Sequence, residues 1–566
     1  MDTANVYCRI FFDVLIEQGV GTAVCSPGSR NTPLLMAAAA REEEELIKCV
    51  VINDERVAAF TALGISLASR RPVILVCTSG SALLNYAPAV AEAYYRGVPL
   101  VILSADRPEE WIDQDDSQTI RQSGALSGIV KASYSFPALP SGLPDKEWYA
   151  NRMANEAIMT ALSGKPGPVH INIALDNPLN AATDAPLPMQ RLISLDRPDA
   201  SLPAPVMREL LDEARGARIL LVAGFHSPDH TLNEAVARFA SLQNVAVMAE
   251  NLSNLHLHGD ASSVDATLIR LSDKEREALR PDIVISIGGA LVSRKLKEYL
   301  RTLPPSQHWS VGHSPYTADC FKCLTRKIET SPAPFLRKLA GMMRHTGVPQ
   351  ESTARDYATL WRAARLRSRA FLDAYVEEAP WSELKLFSIL SRSLPAGCNL
   401  FLSNGTAVRY AQLFPFNVHA IFCNRGVSGI DGATSTAIGG ALAYGGMTVL
   451  ITGDMSLAYD LGAFASHLMP ERMRIIAVNN AGGGIFRFIP STRDLPAREK
   501  FFCSDPALPV EGITRAFGLE YLHADSESSL HAMLPRLLSP AAKATLLEVS
   551  VDPALSSRTL LSLFQK

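Results

Sequence analysis

Two polar clusters in the last third of the chain have the make-up of a site for a cation and a phosphate. The first is Thr452-Gly453-Asp454-Met455-Ser456, and the second is Asn479-Asn480-Ala481-Gly482-Gly483-Gly484-Ile485-Phe486. Asp454 and Asn480 stand 26 positions apart, room for one turn, one helix and one strand. An Asp carboxylate, an Asn amide oxygen and a backbone carbonyl from the glycine turn at Gly482 are hard oxygen ligands. They suit Mg²⁺, with Mn²⁺ as the alternative ion, because such ions take few protein ligands and complete their shells with phosphate oxygens. A helix starting after Asp454 adds free backbone N–H groups for the same anion. A lone Gly-Asp is an ordinary strand-to-helix turn; the pair at this spacing is much harder to produce by chance.

Other residues of chemical interest are scattered. Glu55 stands at a strand-to-helix junction, ahead of the small residues Ala58, Ala59 and Ala62. Taken alone it is a first-turn acid favoured by the helix dipole. Arg30, Arg107, Arg294, Lys295, Arg409 and Arg425 all fall in expected loops or at expected strand ends, within reach of a ligand. Guanidinium forks and ammonium groups are what carboxylates need when taken out of water. Cys320-Phe-Lys-Cys323 is the one CxxC, and without a second pair or a nearby His cluster it reads as two ordinary cysteines.

The elements that must position these residues read as an α/β fold of parallel sheets flanked by helices. Strands are expected at 22–25, 49–53, 73–77, 100–103 and 169–173, with a helix at 58–69. A Pro- and Ala-rich stretch at 178–205 reads as a linker. Strands at 218–223, 245–249, 282–287 and 309–311 follow. A helix-biased stretch at 350–375 leads to strands at 400–403, 420–423, 448–451, 474–478 and 544–549, with a helix after Asp454 running to about 468. The expected domains are 1–180, 205–345 and 375–566. No short-period repeat is visible.

Composition bounds the function. At 566 residues and 61.2 kDa the chain exceeds one core; roughly 150 residues per domain gives about four, and three larger ones fit equally well. With 54 Lys+Arg against 57 Asp+Glu, the formal charge of −3 argues against a nucleic-acid protein. No apolar run is long enough to span a bilayer. The start MDTANVYCRIFF lacks the marks of a secretory signal, and nine thinly spread cysteines suit a reducing compartment, so a cytoplasmic location is expected.

The Gly-Asp and Asn-Asn clusters resemble the diphosphate-binding motif of the thiamine diphosphate enzymes, with Met455 where that motif has glycine. The resemblance implies that Glu55 is the catalytic carboxylate that touches N1′ of the aminopyrimidine ring. It also implies that the two half-sites come from different subunits, hence a homodimer or a dimer of dimers. Further segments narrow the likeness: Ser26-Pro27-Gly28-Ser29-Arg30-Asn31-Thr32-Pro33, Ser104-Ala105-Asp106-Arg107-Pro108, Ser117-Gln118-Thr119-Ile120-Arg121-Gln122, Gly288-Gly289-Ala290-Leu291-Val292-Ser293-Arg294-Lys295, Ser403-Asn404-Gly405-Thr406-Ala407-Val408-Arg409 and Cys423-Asn424-Arg425-Gly426-Val427-Ser428-Gly429-Ile430-Asp431-Gly432. Together they resemble the MenD family, the 2-succinyl-5-enolpyruvyl-6-hydroxy-3-cyclohexene-1-carboxylate synthases of menaquinone biosynthesis, along essentially the whole chain.

That resemblance implies a transferase that decarboxylates 2-oxoglutarate and adds the succinyl carbanion equivalent to isochorismate in a 1,4-addition. It places Arg409 and Arg425 on the 2-oxoglutarate side. Ser29, Arg30, Arg107, Gln118 and the Arg294-Lys295 pair fall on the isochorismate side. The order of that pair is reversed in some relatives, which leaves open which of the two reaches substrate. Around the cofactor it implies Asn404, Ile430, Asp454, Met455, Ser456, Asn480, Gly482, Ile485 and Phe486, with Ile430 beneath the rings and the metal on Asp454, Asn480 and Gly482. An acetolactate-synthase-like carboligase is the rival within the superfamily. A non-catalytic nucleotide-binding protein on the same scaffold is the rival outside it. A dinucleotide site is not indicated, because no Gly-x-Gly-x-x-Gly follows a strand.

Overall fold

Apolar strands buried on both faces must be covered by helices on both sides, and the chain builds three such parallel sheets in the computed structural model. The structure describes residues 2–140, 143–196, 201–257, 263–349, 352–503 and 507–565. Positions 197–200 of the expected linker and 350–351 of the expected helical stretch lie outside the described residues, as do 1, 141–142, 258–262, 504–506 and 566 of the expected domains.

The first sheet contains β1 (Thr22–Cys25), β2 (Lys48–Val51), β3 (Val73–Cys77), β4 (Leu100–Asp106), β5 (Ser133–Phe136) and β6 (Val169–Ala174), ordered β2-β1-β3-β4-β6-β5. The middle sheet contains β7 (Ile219–Ala223), β8 (Val245–Ala249), β9 (Ile283–Ile287), β10 (Gln307–Val311) and β11 (Arg326–Ile328), ordered β8-β7-β9-β10-β11. The last contains β12 (Asn399–Leu402), β13 (Ala420–Cys423), β14 (Thr448–Gly453), β15 (Met473–Asn479), β16 (Glu520–Ala524) and β17 (Thr545–Ser550), ordered β13-β12-β14-β15-β17-β16. The first and last sheets therefore share one strand order, although no sequence repeat announces it.

Strands β5, β11 and β16 go beyond those expected from sequence, for a common reason. Each lies at a sheet edge and carries polar residues, such as Ser133 and Ser135, Arg326 and Lys327, or Glu520 and His523. An edge strand needs no continuous apolar run. The expected helix at 350–375 is Tyr357–Glu378.

Five helices position the site: α1 (Glu55–Ser69), α2 (Arg294–Thr302), α3 (Glu383–Ser393), α4 (Ala433–Ala443) and α5 (Asp454–Tyr459). The helix expected to run from Asp454 to about 468 instead divides into α5 and a 3₁₀ segment, Leu461–Ser466. Asp54 caps α1 by accepting from Val57 N at 3.1 Å. Residues Val57 to Leu67 of α1 and Ala433 to Ala441 of α4 are buried without interruption. These two helices lie against each other and carry small residues because their backbones nearly touch. A Cβ on Gly64 would stand 1.9 Å from the Thr436 carbonyl oxygen, and one on Gly439 would stand 2.0 Å from that of Thr61. The crossing joins the first and last sheets in one apolar cluster, running from Val24, Leu75 and Ile102 to Phe401, Leu450 and Ile475. No helix among the described residues is long and apolar enough to cross a membrane.

The crossing leaves no room for a methyl group. Gly64→Ala is expected to lower stability by about 1–3 kcal/mol, read as a fall in Tm in thermal unfolding.

Candidate active site

Parallel α/β sheets bind ligands outside the carboxyl ends of their strands, and the candidate residues lie there. Arg30 follows β1, Glu55 follows β2 and Arg107 follows β4; Arg294 lies beyond β9. Asn404, Arg425, Asp454 and Asn480 follow β12, β13, β14 and β15 in turn.

β14 and β15 are neighbours, with Gly453 paired to Val478, so Asp454 and Asn480 leave the sheet side by side. The buried Asp454 carboxylate accepts from Met455 N at 2.7 Å, from Asn480 N at 3.2 Å and from Gly482 N at 2.8 Å. One side chain thus ties the start of α5 to the glycine turn. Ala481, Gly482 and Gly483 all have positive φ, and a Cβ on Gly484 would stand 2.4 Å from Asn480 Nδ2. The turn needs its glycines to fold back over Asn480.

Asn480 is 3% exposed. Its Nδ2 donates to Glu383 Oε1 at 2.8 Å, while its Oδ1 is enclosed and has no hydrogen-bond partner among the described residues. Leaving such an acceptor unpaired costs about 1–3 kcal/mol. A divalent cation on Asn480 Oδ1, the Asp454 carboxylate and the Gly482 carbonyl would satisfy it, so the residues present fit the metal expected from sequence. The Gly482 carbonyl also accepts from Arg487 Nη1 at 2.9 Å. Glu383, the first residue of α3, is the residue sequence reading misses here. Burial pushes its carboxyl up to about 7, partly offset by hydrogen bonds from Thr406 and Asn480.

Around this pair the loops are tied to one another. Ser456 Oγ donates to the Ile430 carbonyl at 2.9 Å, joining α5 to the segment before α4. Met455, Ile485 and Phe486 are half-buried. Asn404 Nδ2 donates to the carbonyls of Asn424 and Gly429, and its Oδ1 accepts from Arg425 Nη1 at 3.0 Å.

The cations fall into two groups. Arg409, bonded to the Gly405 carbonyl, is lowered to about 10 by burial, and the nearby Arg425 and Arg294 push the same way. These three guanidinium groups therefore share one neighbourhood. Lys295 is held differently: its Nζ lies 4.2 Å from the centre of the Phe564 ring, and the Asp265 carboxylate, which also acts on Arg409, offsets part of its desolvation. The second group is in the first sheet. Arg107 is paired with Asp116 and donates to Ser79 Oγ at 3.0 Å and to the Gln118 carbonyl at 3.1 Å. Arg30 donates to the Leu175 carbonyl at 3.0 Å; burial lowers its pKa, and the Arg107 charge adds to that. Ser29 and Gln118 are exposed nearby along the chain. Glu55 is half-buried, with Asn85 Nδ2 3.4 Å from its Oε2.

Two buried carboxylates without a sequence motif hold the loops that carry arginines. Glu92 accepts from Gly426 N and Val427 N, both at 2.7 Å, directly after Arg425. Arg96, on the same helix, donates to the Cys423 carbonyl at 3.1 Å and lies over the Phe225 ring. Glu250 accepts from Val292 N at 2.8 Å and Ser293 N at 2.7 Å, directly before Arg294.

Burial pushes the Glu250 carboxyl up to about 7, against about 4.3 in an unfolded chain. The folded state then binds this proton more tightly, so the stability contribution of Glu250 falls as pH rises from about 4.3 to about 7. Glu250→Gln is expected to lose less Tm than the wild type between pH 5 and pH 8. Glu92→Gln removes the charged acceptor and leaves one of two N–H groups weakly paired; a loss of about 1–3 kcal/mol is expected in denaturant unfolding.

A family model described as "Thiamine pyrophosphate enzyme, N-terminal TPP binding domain" matches residues 7–125. A 2-succinyl-5-enolpyruvyl-6-hydroxy-3-cyclohexene-1-carboxylate synthase of Porphyromonas gingivalis is 39% identical, over 98% of this chain and 96% of its own. Enzymes of the same name from Desulfotalea psychrophila and Flavobacterium psychrophilum are 37% and 35% identical, over 95% and 98% of this chain and 97% of each of theirs. Full-length likeness at this identity, on a parallel α/β scaffold whose strand ends carry the expected acids and arginines, makes this chain a member of the 2-succinyl-5-enolpyruvyl-6-hydroxy-3-cyclohexene-1-carboxylate synthase family of thiamine diphosphate enzymes.

Proposed function

We propose that this chain decarboxylates 2-oxoglutarate and adds the resulting four-carbon unit to isochorismate, giving 2-succinyl-5-enolpyruvyl-6-hydroxy-3-cyclohexene-1-carboxylate and CO₂ in menaquinone biosynthesis. The observation that carries the substrate assignment is the shared neighbourhood of Arg294, Arg409 and Arg425. The charges of Arg425 and Arg294 both push the pKa of Arg409 down; cations gathered in this way call for anions between them, and a dicarboxylate supplies two.

Asp454, Asn480 and the Gly482 carbonyl would hold Mg²⁺ or Mn²⁺, and the N–H groups at the start of α5 would meet the diphosphate. Thiamine diphosphate, when bound, supplies the electron sink for loss of CO₂ and for the carbon–carbon bond formation that follows. Glu55 holds the proton shared with N1′ of the aminopyrimidine. Ile430, Ile485 and Phe486 would supply the apolar surface against the cofactor's rings and exclude water there. Asn404 orients Arg425, and Arg425 with Arg409 binds the 2-oxoglutarate side. Ser29, Arg30, Arg107 and Gln118 bind isochorismate. Arg294 joins them in preference to Lys295, because Arg294 is exposed beside Arg409 while Lys295 is half-buried against Phe564. The working unit is a homodimer or a dimer of dimers in the cytoplasm, with proposed domains at 1–180, 205–345 and 375–566.

Purified protein supplied with thiamine diphosphate, Mg²⁺ and 2-oxoglutarate is expected to consume isochorismate and release CO₂. Consumption of pyruvate in place of 2-oxoglutarate would instead assign an acetolactate-synthase-like reaction. Glu55→Gln is expected to reduce kcat by about 10²–10⁴-fold. Arg294→Ala is expected to raise the KM for isochorismate by roughly tenfold or more, a loss of about 1.4 kcal/mol, and Lys295→Ala to raise it by less.

A further inference from the structure

His308, on β10 of the middle sheet, has a ring nitrogen with no hydrogen-bond partner among the described residues. The side chain is 2% exposed. Its Nε2 lies 2.8 Å from Ser286 Oγ on β9, while Nδ1 is enclosed and without a hydrogen-bond partner. An Nε2–H directed at Ser286 leaves Nδ1 as a bare lone pair, the form in which a second-shell hydrogen bond presents imidazole to a metal. The turn after β10 brings two more donors to the His308 ring. One donor atom each from His308, Asp319 and Cys323 lies within 4.8 Å of the other two.

The surroundings hold these groups in place. Asp319 Oδ1 accepts from Cys323 N at 2.9 Å and Leu324 N at 3.2 Å, which orients the carboxylate. The buried Phe321 ring lies 5.1 Å from the His308 ring and closes the apolar side. Sulfur, imidazole nitrogen and carboxylate oxygen form a borderline donor set, unlike the all-oxygen set at Asp454 and Asn480. A thiolate and a carboxylate also balance the charge of a divalent ion, with the imidazole neutral.

We propose that His308, Asp319 and Cys323 bind one divalent transition-metal ion of the Zn²⁺ class, with water in the fourth position. The ion fastens the turn after β10 to the middle sheet. The CxxC spacing is incidental to it: Cys320 lies outside the three-residue grouping, and its carbonyl accepts from Arg301 Nε at 2.8 Å.

The test is titration of the chelator-treated, full-length protein with Co²⁺, with excess Mg²⁺ present to occupy the oxygen site. The wild type is expected to develop tetrahedral d–d bands and a thiolate-to-cobalt charge-transfer band, saturating at one equivalent per chain and displaced by Zn²⁺. Cys323→Ser is expected to abolish the charge-transfer band, and Asp319→Asn to weaken binding by roughly tenfold or more. Cys320→Ser is expected to keep the band. Asp319 is exposed and Cys323 half-buried, so both variants can be checked for the wild-type circular dichroism before titration. A wild type without the charge-transfer band, or a band that survives in Cys323→Ser or disappears in Cys320→Ser, overturns the proposal.

Discussion

The candidate site depends on one carboxylate accepting three backbone N–H groups. Asp454 reaches Met455 on its own turn, and Asn480 and Gly482 on the turn after the neighbouring strand. Hydrogen bonds to an ionised acceptor are stronger than neutral ones, and these are withdrawn from water. They hold two strand ends in register beyond the sheet itself. They also set Asn480 so that its amide nitrogen faces Glu383 and its oxygen is left for another partner. The glycines after Asn480 follow from the same constraint, because a side chain at 484 would strike the asparagine amide.

The same device recurs at two of the loops that carry an arginine. Glu92 binds the two N–H groups after Arg425, and Glu250 the two before Arg294. In each case a buried acid meets the backbone of the loop and leaves the guanidinium for other partners. Burial raises both carboxyls, so the cost of desolvating them is real and the N–H groups only partly offset it. The formal charge of −3 conceals all this. It sums over a chain in which cations are gathered at strand ends and several of their supporting acids are buried.

Sequence made the Asp454–Asn480 pair legible because its chemistry is local: two strands, two turns and a spacing. The central strands were legible because burial on both faces demands continuous apolar runs. Edge strands β5, β11 and β16 escape that logic. Glu92 and Glu250 escape it for another reason: Glu92 meets Gly426 from 334 positions away, and no local pattern marks an acid whose partners are backbone groups. Glu383 is hidden in the same way, as an ordinary first residue of a helix until the fold sets it against Asn480. The contact that sets Lys295 apart from Arg294 is the ring of Phe564, which adjacency in sequence could not reveal. His308 and Cys323 stand apart along the chain, and the turn that joins them exists only once β10 is placed.

The central claim is that Asp454 and Asn480 form the site where metal and diphosphate meet. The most direct measurement is the thermal shift on adding thiamine diphosphate with Mg²⁺ to the wild type, Asp454→Ala and Asn480→Ala. A ligand that binds only the folded state raises Tm in proportion to its affinity. The account predicts a clear upward shift in the wild type that requires Mg²⁺, and its loss in both variants. A full wild-type shift in either folded variant would contradict it.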